Sequence, residues 1–355
     1  MSQQLQELMN IVGMDAHHES STATPIHLFP VKNRISGIGT TKAGKSAHFA
    51  GLVKAAEKQV AKTKGSDYPF FCQILENTSN ILEDVARLRD GHFPDKTDAY
   101  QQFAAEAGLL LEWEHRVKVP LLGSRKLWTK RLQVPICDLA GEDLAQIIRQ
   151  VRAAGIIGNE TRSRVRQLIS YVRQSDGYII IIKATRARGL GKVMEEEVGK
   201  GLSKYADANL VRMIYDILTY KALHPERPVK GVAVVITAWD RLAPVAKQIG
   251  FDPLSPTVGQ RDIEHFVEAA FPSTYAAITS MRVPNIRYFP SFFETEKNEK
   301  GEELCWQDEP DSPRIKKVNI HDPQYEWYDN VGAIKDSEKF FFDELNWLRE
   351  FAMLG

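Results

Sequence analysis

The chain has 355 residues, 43% of them hydrophobic, and carries 46 Lys and Arg against 46 Asp and Glu. That length supports a full core in one enlarged domain or two modest ones, and zero net charge gives no whole-chain field to draw in nucleic acid or an anionic membrane. Three scattered cysteines, Cys72, Cys137 and Cys305, form no CxxC pair and argue against a disulfide framework or a zinc site. No apolar run reaches the roughly 20 residues that span a bilayer, and the order of a secretion signal is missing, so a soluble cytoplasmic protein is expected.

Residues 1–24 read as an N-terminal extension, with Leu5, Leu8, Met9 and Val12 on one side of a short helix. The following His17-His18 pair has no third ligand nearby, which disfavours a metal role. Residues 34–38 have the apolar character of a short buried strand. They lead into Gly39-Thr40-Thr41-Lys42-Ala43-Gly44-Lys45-Ser46, which has the glycine, lysine and hydroxyl spacing of a phosphate-binding loop. Two glycines let successive backbone N–H groups curl around phosphates, Lys45 reaches the β and γ oxygens, and the Ser46 hydroxyl is placed to ligate Mg²⁺. A helix follows, with Phe49, Leu52, Val53, Ala56 and Val60 on one face, and its positive end falls on the same anion site. The competing account is a glycine-rich turn that merely starts a helix; the strand, loop and helix order favours the phosphate site.

Residues 66–111 read as a mainly helical insertion carrying Ile74, Leu75, Ile81, Leu82, Val85 and Leu88 at helical spacing. Residues 112–121 and 126–137 then flank Leu122-Gly123-Ser124-Arg125 as an antiparallel hairpin. Two helical runs follow, the second with Val165, Leu168, Ile169 and Val172 on one face. The apolar runs 178–182 and 231–236 are strands buried on both faces, as in a parallel sheet, and a helix with Leu210, Val211, Ile214, Ile217 and Leu218 lies between them. A helix with Ile263, Phe266 and Val267 precedes a last strand at 286–289. The charged, aliphatic-poor residues 294–317 read as a loop or mobile excursion, and a final helix from about Ser337 buries Phe340, Phe341, Leu345, Leu348 and Phe351.

Two further segments carry chemistry. Asp138-Leu139-Ala140-Gly141-Glu142 follows the hairpin's second strand, where Asp138 can hold Mg²⁺ through water and Gly141 leaves its N–H open to a γ-phosphate. An ordinary strand-to-turn Asp-x-x-Gly has the same form. Thr237-Ala238-Trp239-Asp240 ends the strand 231–236, at the sheet edge where ligands bind in open α/β folds. The Asp240 carboxylate can accept from the N1–H and exocyclic N2–H₂ of guanine, a donor pair that adenine lacks; its alternative role is capping the next helix.

In this order, GTTKAGKS, DLAGE and TAWD resemble the first, third and fourth motifs of the Ras-like, translation-factor-related P-loop GTPases, over about residues 34–295. The long insertions are similar, more distantly, to bacterial double-GTPase proteins of conflict or defence systems. The resemblance implies an α/β fold: a mostly parallel P-loop NTPase sheet flanked by helices, with one antiparallel strand and helical insertions. It also implies GTP/GDP and Mg²⁺ as cofactors, and slow hydrolysis that switches loop conformation. The domain would span 25–295, with 296–355 as a C-terminal elaboration packed on it. Ala238 departs from the family pattern by replacing the lysine whose stem packs over the base, and Trp239 is a candidate to stack there instead.

By the same resemblance Thr97, after His92-Phe93-Pro94, closes onto Mg²⁺ and the γ-phosphate, unless it caps a Pro-led turn. Ser291 stands where the fifth motif contacts the base, or is a turn residue. Glu142 occupies the position of a water-orienting glutamine, or is a solvated switch residue. The metal set is then Ser46, Thr97 and Asp138, and the catalytic set is Lys45, Glu142 and Thr97. Arg152, Arg162, Arg164, Arg166, Arg186 and Arg188 include candidates for an internal arginine finger or a partner surface, with a solvated helix face the favoured account for most of them. The expected function is a GTPase switch acting on a protein effector or assembly partner, with nucleic acid disfavoured because basic and aromatic residues are not interleaved. The alternatives are a nucleotide-dependent scaffold with little or no hydrolysis, and an ATPase.

Overall fold

The computed structural model describes residues 33–39, 43–74, 79–94, 108–119, 123–135, 172–187, 203–255, 257–293, 295–310, 312–315 and 337–354. Strands β1 (Ile35–Gly39), β5 (Gly177–Lys183), β6 (Gly231–Thr237) and β7 (Ile286–Ser291) form a parallel four-stranded sheet in the order β1-β5-β6-β7. Strands β2 (Phe70–Ile74), β3 (Gly108–Val119) and β4 (Gly123–Pro135) form an antiparallel sheet in sequence order. A parallel bridge between Arg34 and Gln133, with the Gln133 N–H donating to the Asn33 carbonyl at 3.3 Å, sets β4 beside β1. Since β4 meets β1 in parallel, β3 is the one described strand that runs against the rest.

The β-branched runs in β5 and β6 explain the central sheet. Strand periodicity deals Ile179 and Ile181 to one face and Ile180 and Ile182 to the other, and both faces are sealed by helices. On one face lie α1 (Lys45–Thr63), α2 (Ser79–Asp90) and the C-terminal helix α7 (Ser337–Met353). They contribute Phe49, Leu52, Val53, Val85, Leu88, Phe341, Leu345, Leu348 and Phe351 to a core that also holds Ile35 and Val235. The other face is covered by α3 (Ser203–Leu223), α5 (Gln260–Ala270) and α6 (Pro272–Thr279), while the four-residue α4 (Ala246–Ile249) lies between β6 and α5 in the chain. Each fully buried Ile, Leu or Phe contributes about 1.5 to 3 kcal/mol, so these two layers dominate stability. Among the described residues no helix is long and apolar enough to cross a membrane.

Two expectations change. Among its described residues the segment 66–111 holds strand as well as helix: β2 occupies Phe70–Ile74, and β3 begins at Gly108, four residues before the expected hairpin edge. Phe70 is buried and Phe71 exposed, the period of a strand, so Ile74 belongs to the sheet; Leu82 on α2 is exposed. Residues 295–315 are also more organised than a loose excursion. Bridges pair Thr295 with Ile315, Lys297 with Glu303 and Cys305 with Pro313. The paired segment is fastened to the end of α2 by an ion pair of 2.8 Å between Arg87 and Glu309 and by the stacked rings of Trp306 and His92. The N-terminal extension 1–24 and the expected helical face of Val165, Leu168 and Ile169 lie outside the described residues.

Candidate functional site

The C-terminal ends of β1 and β6 meet at the start of α1. Gly44, the residue before the helix, has φ of 75° and ψ of 26°, a left-handed conformation that glycine adopts without the Cβ penalty. It brings no capping side chain, and the first turn of α1 holds no acidic residue, so no carboxylate of that turn screens the positive end of the helix. At Gly39 the constraint is space. A Cβ there would lie 2.8 Å from the Ile181 carbonyl oxygen and 3.2 Å from Cδ of Lys45. The Lys45 stem therefore runs back across the end of β1, and the residue is only 6% exposed.

Thr237 joins this loop to the strand beside it. Its hydroxyl donates to the Ala43 carbonyl at 2.5 Å, with the Ile182 carbonyl at 3.2 Å as a second acceptor. The first residue of TAWD thus touches the phosphate-type loop. Ala238 follows with φ of 54°, a strained value for a residue with a Cβ, and turns the chain into a 3-10 helix over Trp239–Val245. Asp240 sits in the first turn of that helix, and the residue at its N-cap position is Ala238, so the carboxylate does not cap it.

Trp239 does not stack over a base. It is fully buried, its indole N–H donates to the Pro253 carbonyl at 2.7 Å, and its ring packs against Phe251 and Phe266. Burial of its apolar surface therefore leaves Trp239 part of the core.

The carboxylate of Asp240 lies among charges. Burial pushes its pKa up to about 6 against the pull of Arg241, whose Nε is 3.9 Å from Oδ2. The same guanidinium donates to Glu303 through Nη2 at 2.5 Å, and the Thr295 hydroxyl donates to that Glu303 oxygen at 2.7 Å. Burial opposes ionisation of Glu303, yet these hydrogen bonds hold its carboxyl below the ordinary range.

Ser291, at the end of β7, is 4% exposed and its hydroxyl lies 3.0 Å from Nδ1 of His48. Nε2 of His48 lies 3.2 Å from Glu344 of α7, and His48 and Glu344 are each 1% exposed. This buried Ser–His–Glu chain ties α1, one turn beyond Lys45, to β7 and to α7. Sequence periodicity held a trace of it: Glu344 falls three residues after Phe341 and four before Leu348, on the apolar stripe of the last helix.

The described residues thus bring together Gly39, Ala43, Gly44, Lys45, Ser46 and Thr237 at one sheet edge, with Asp240 three residues past Thr237 in the chain and Ser291 turned inward to His48. Thr40, Thr41, Lys42, Thr97, Asp138, Gly141 and Glu142 lie outside the described residues, as do Arg152, Arg162, Arg164, Arg166 and Arg188. The β4 strand runs alongside β1 in the direction of Gly39 as it approaches Asp138 in sequence. Residues 91–94, which lead toward Thr97, are held by Arg87, whose Nε donates to the Phe93 carbonyl at 3.0 Å, and by the Gly91 carbonyl, which accepts from the Ile315 N–H at 2.9 Å. Set against known proteins, the chain matches no family model and no curated sequence.

Proposed function

We propose that the chain is a nucleotide-binding switch protein of the P-loop GTPase type, with Gly39–Ser46 cradling the triphosphate and Asp240 reading the base. The observation that carries this is the junction at Gly44: a left-handed glycine opens a helix free of first-turn acids, the Lys45 stem lies across Gly39, and Thr237 clamps the Ala43 carbonyl. Backbone N–H groups at such a junction suit a phosphate, and Lys45 adds a point charge on the transferring group.

The residues present fit the cofactors. Gly39 leaves room for the Lys45 stem, Gly44 supplies the left-handed backbone that starts α1, and Ser46, half-buried in the first turn of α1, has the hydroxyl that a hard cation takes. Mg²⁺, when bound, neutralises charge on the β and γ oxygens; Ser46, with Thr97 and Asp138, is assigned to hold it. Glu142 accepts a hydrogen bond from the attacking water but cannot donate one to the γ-phosphate, which predicts slow intrinsic turnover. The functional output is a change in the loops that a protein effector reads.

A second reading, ATP in place of GTP, draws on the burial of Trp239 and on Ala238, which leave Asp240 as the one side chain of its motif with guanine-selective chemistry. One experiment separates the two. The purified protein is denatured, the released nucleotide is identified chromatographically, and turnover of GTP and ATP with Mg²⁺ is then measured. Guanine nucleotide with slow GTP turnover is expected. Adenine nucleotide turns the assignment to an ATPase, and bound guanine nucleotide without turnover turns it to a scaffold.

A further inference from the structure

The Asp240–Arg241–Glu303 cluster places two carboxylates around one guanidinium. Arg241 is adjacent to Asp240 in sequence and within 3.9 Å of it, yet its short hydrogen bond goes to Glu303, 62 residues further along the chain. Glu303 is fixed in turn by Thr295, which is 7% exposed, and by the bridge that pairs it with Lys297. Glu303 is itself held ionised more firmly than a free carboxyl. The segment after β7 therefore presents a preorganised acceptor that competes with Asp240 for Arg241.

That competition bears on base recognition. A carboxylate accepts the paired N–H donors of guanine only while its oxygens are not already taken by a bidentate guanidinium. We propose that Glu303 is a positioning residue for base selectivity: by holding Arg241, it keeps the Asp240 carboxylate open to the base. This rests on the assignment of Asp240 as the base reader. Among the described residues, the charged groups that act on Asp240 are Arg241, Glu303 and Lys297. Release of Arg241 from Glu303 turns the guanidinium onto Asp240, fills its acceptors, and lowers the pH at which it becomes ionised.

The test measures GTP and ITP affinities, with Mg²⁺, for the full-length wild type and for Glu303→Gln, Asp240→Ala and the double variant Arg241→Ala/Glu303→Gln. ITP lacks the 2-amino donor, so the GTP-to-ITP ratio isolates the contact to Asp240. Glu303→Gln is expected to reduce that ratio about tenfold, the scale of a hydrogen bond to a charged group. The double variant is expected to restore it, and GTP affinity of Glu303→Gln is expected to persist to lower pH than in the wild type. A merely structural Glu303 would weaken GTP and ITP together and leave the double variant no better. If Asp240→Ala removes the GTP preference while Glu303→Gln keeps the wild-type ratio and pH profile, the proposal is overturned and the base reader stands. If Asp240→Ala leaves the preference intact, the base assignment is wrong and this proposal falls with it.

Discussion

At the phosphate end of the site, Gly44, Ala43 and the start of α1 are joined to β6 through backbone groups and buried side chains. At the base end, Asp240 stands among half-exposed charges drawn from two distant segments. Thr237 and Lys45 are each 6% exposed, whereas the side chain of Arg241 is 34% exposed and that of Asp240 25%. The proposed phosphate recognition would thus be built from conformation and the helix terminus, which salt and pH change little once the site is dry. On the proposed reading, base recognition depends on which carboxylate holds a guanidinium, and would respond to both. The difference predicts that perturbations beneath the phosphate loop act on the whole molecule, and perturbations at the base end act on selectivity.

The largest effect is expected beneath the phosphate loop. Glu344→Ala leaves a buried ring nitrogen of His48 without its hydrogen-bond partner, which costs about 1 to 3 kcal/mol, and the cavity left by the Glu344 side chain adds to that loss. Urea unfolding should show a lower midpoint, and an unchanged midpoint would mean that the Ser291–His48–Glu344 chain does not hold α1 to α7.

Next comes Lys45→Ala. Loss of a charge-assisted contact to phosphate is worth about 1.5 to 3 kcal/mol, or roughly ten- to a hundredfold in affinity. GTP and ATP should weaken equally, since the proposed site sets Lys45 against the phosphates and away from the base.

Asp240 supplies the pH prediction. Its folded pKa is raised by burial from 3.8 to about 6, so between those values the folded state keeps a proton that the unfolded chain has released. Stability conferred by the protonated carboxyl is therefore present at low pH and lost as pH rises through about 6. Asp240→Asn should raise the urea midpoint near neutral pH and have no such effect below about pH 3.8. Binding moves the other way, because only the carboxylate accepts both guanine donors: wild-type GTP affinity should fall as pH drops below about 6, while the part contributed by phosphates persists. In a competition assay Asp240→Asn should also favour xanthine nucleotide over GTP, since the amide donates where the carboxylate only accepts. A GTP affinity flat from pH 5 to 8 would remove Asp240 from the base contact.

The smallest expected effect is that of Thr237→Val, which leaves the Ala43 carbonyl without the hydroxyl that reaches it. A loss of about 1 kcal/mol, close to fivefold in nucleotide affinity, is the scale of one neutral hydrogen bond. Equal losses for GTP and ATP would place Thr237 with the phosphate end, as its geometry indicates; a loss confined to GTP would place it with the base.

The same divide explains what was legible in the sequence. Gly39, Gly44 and Lys45 act through local backbone conformation, so their spacing reveals them, and the isoleucines of β5 and valines of β6 announce a sheet buried on both faces. The strand at Phe70–Ile74 was hidden because Ile74 and Leu75 extend the helical spacing of α2 backwards, and a five-residue strand has too few periods to outweigh it. Trp239 is two residues past Thr237 at the ligand edge, and nothing in its neighbours shows that Pro253, Phe251 and Phe266 enclose it. Arg241 with Glu303, and His48 with Glu344, are pairs separated by 62 and 296 residues; beyond the place of Glu344 on an apolar stripe, contacts of that range are set by the assembled fold and leave no spacing between partners to detect.

The central claim is that Gly44 and the start of α1 form a triphosphate site whose base is read by Asp240. Calorimetric titration of GTP and of ATP, each with Mg²⁺, into the wild-type protein and Lys45→Ala tests it most directly. The account predicts that the wild type binds GTP more tightly than ATP and that Lys45→Ala weakens both by a similar factor, with an unfolding midpoint that shows the variant still folded. Equal affinity of wild type and Lys45→Ala for both nucleotides would contradict it.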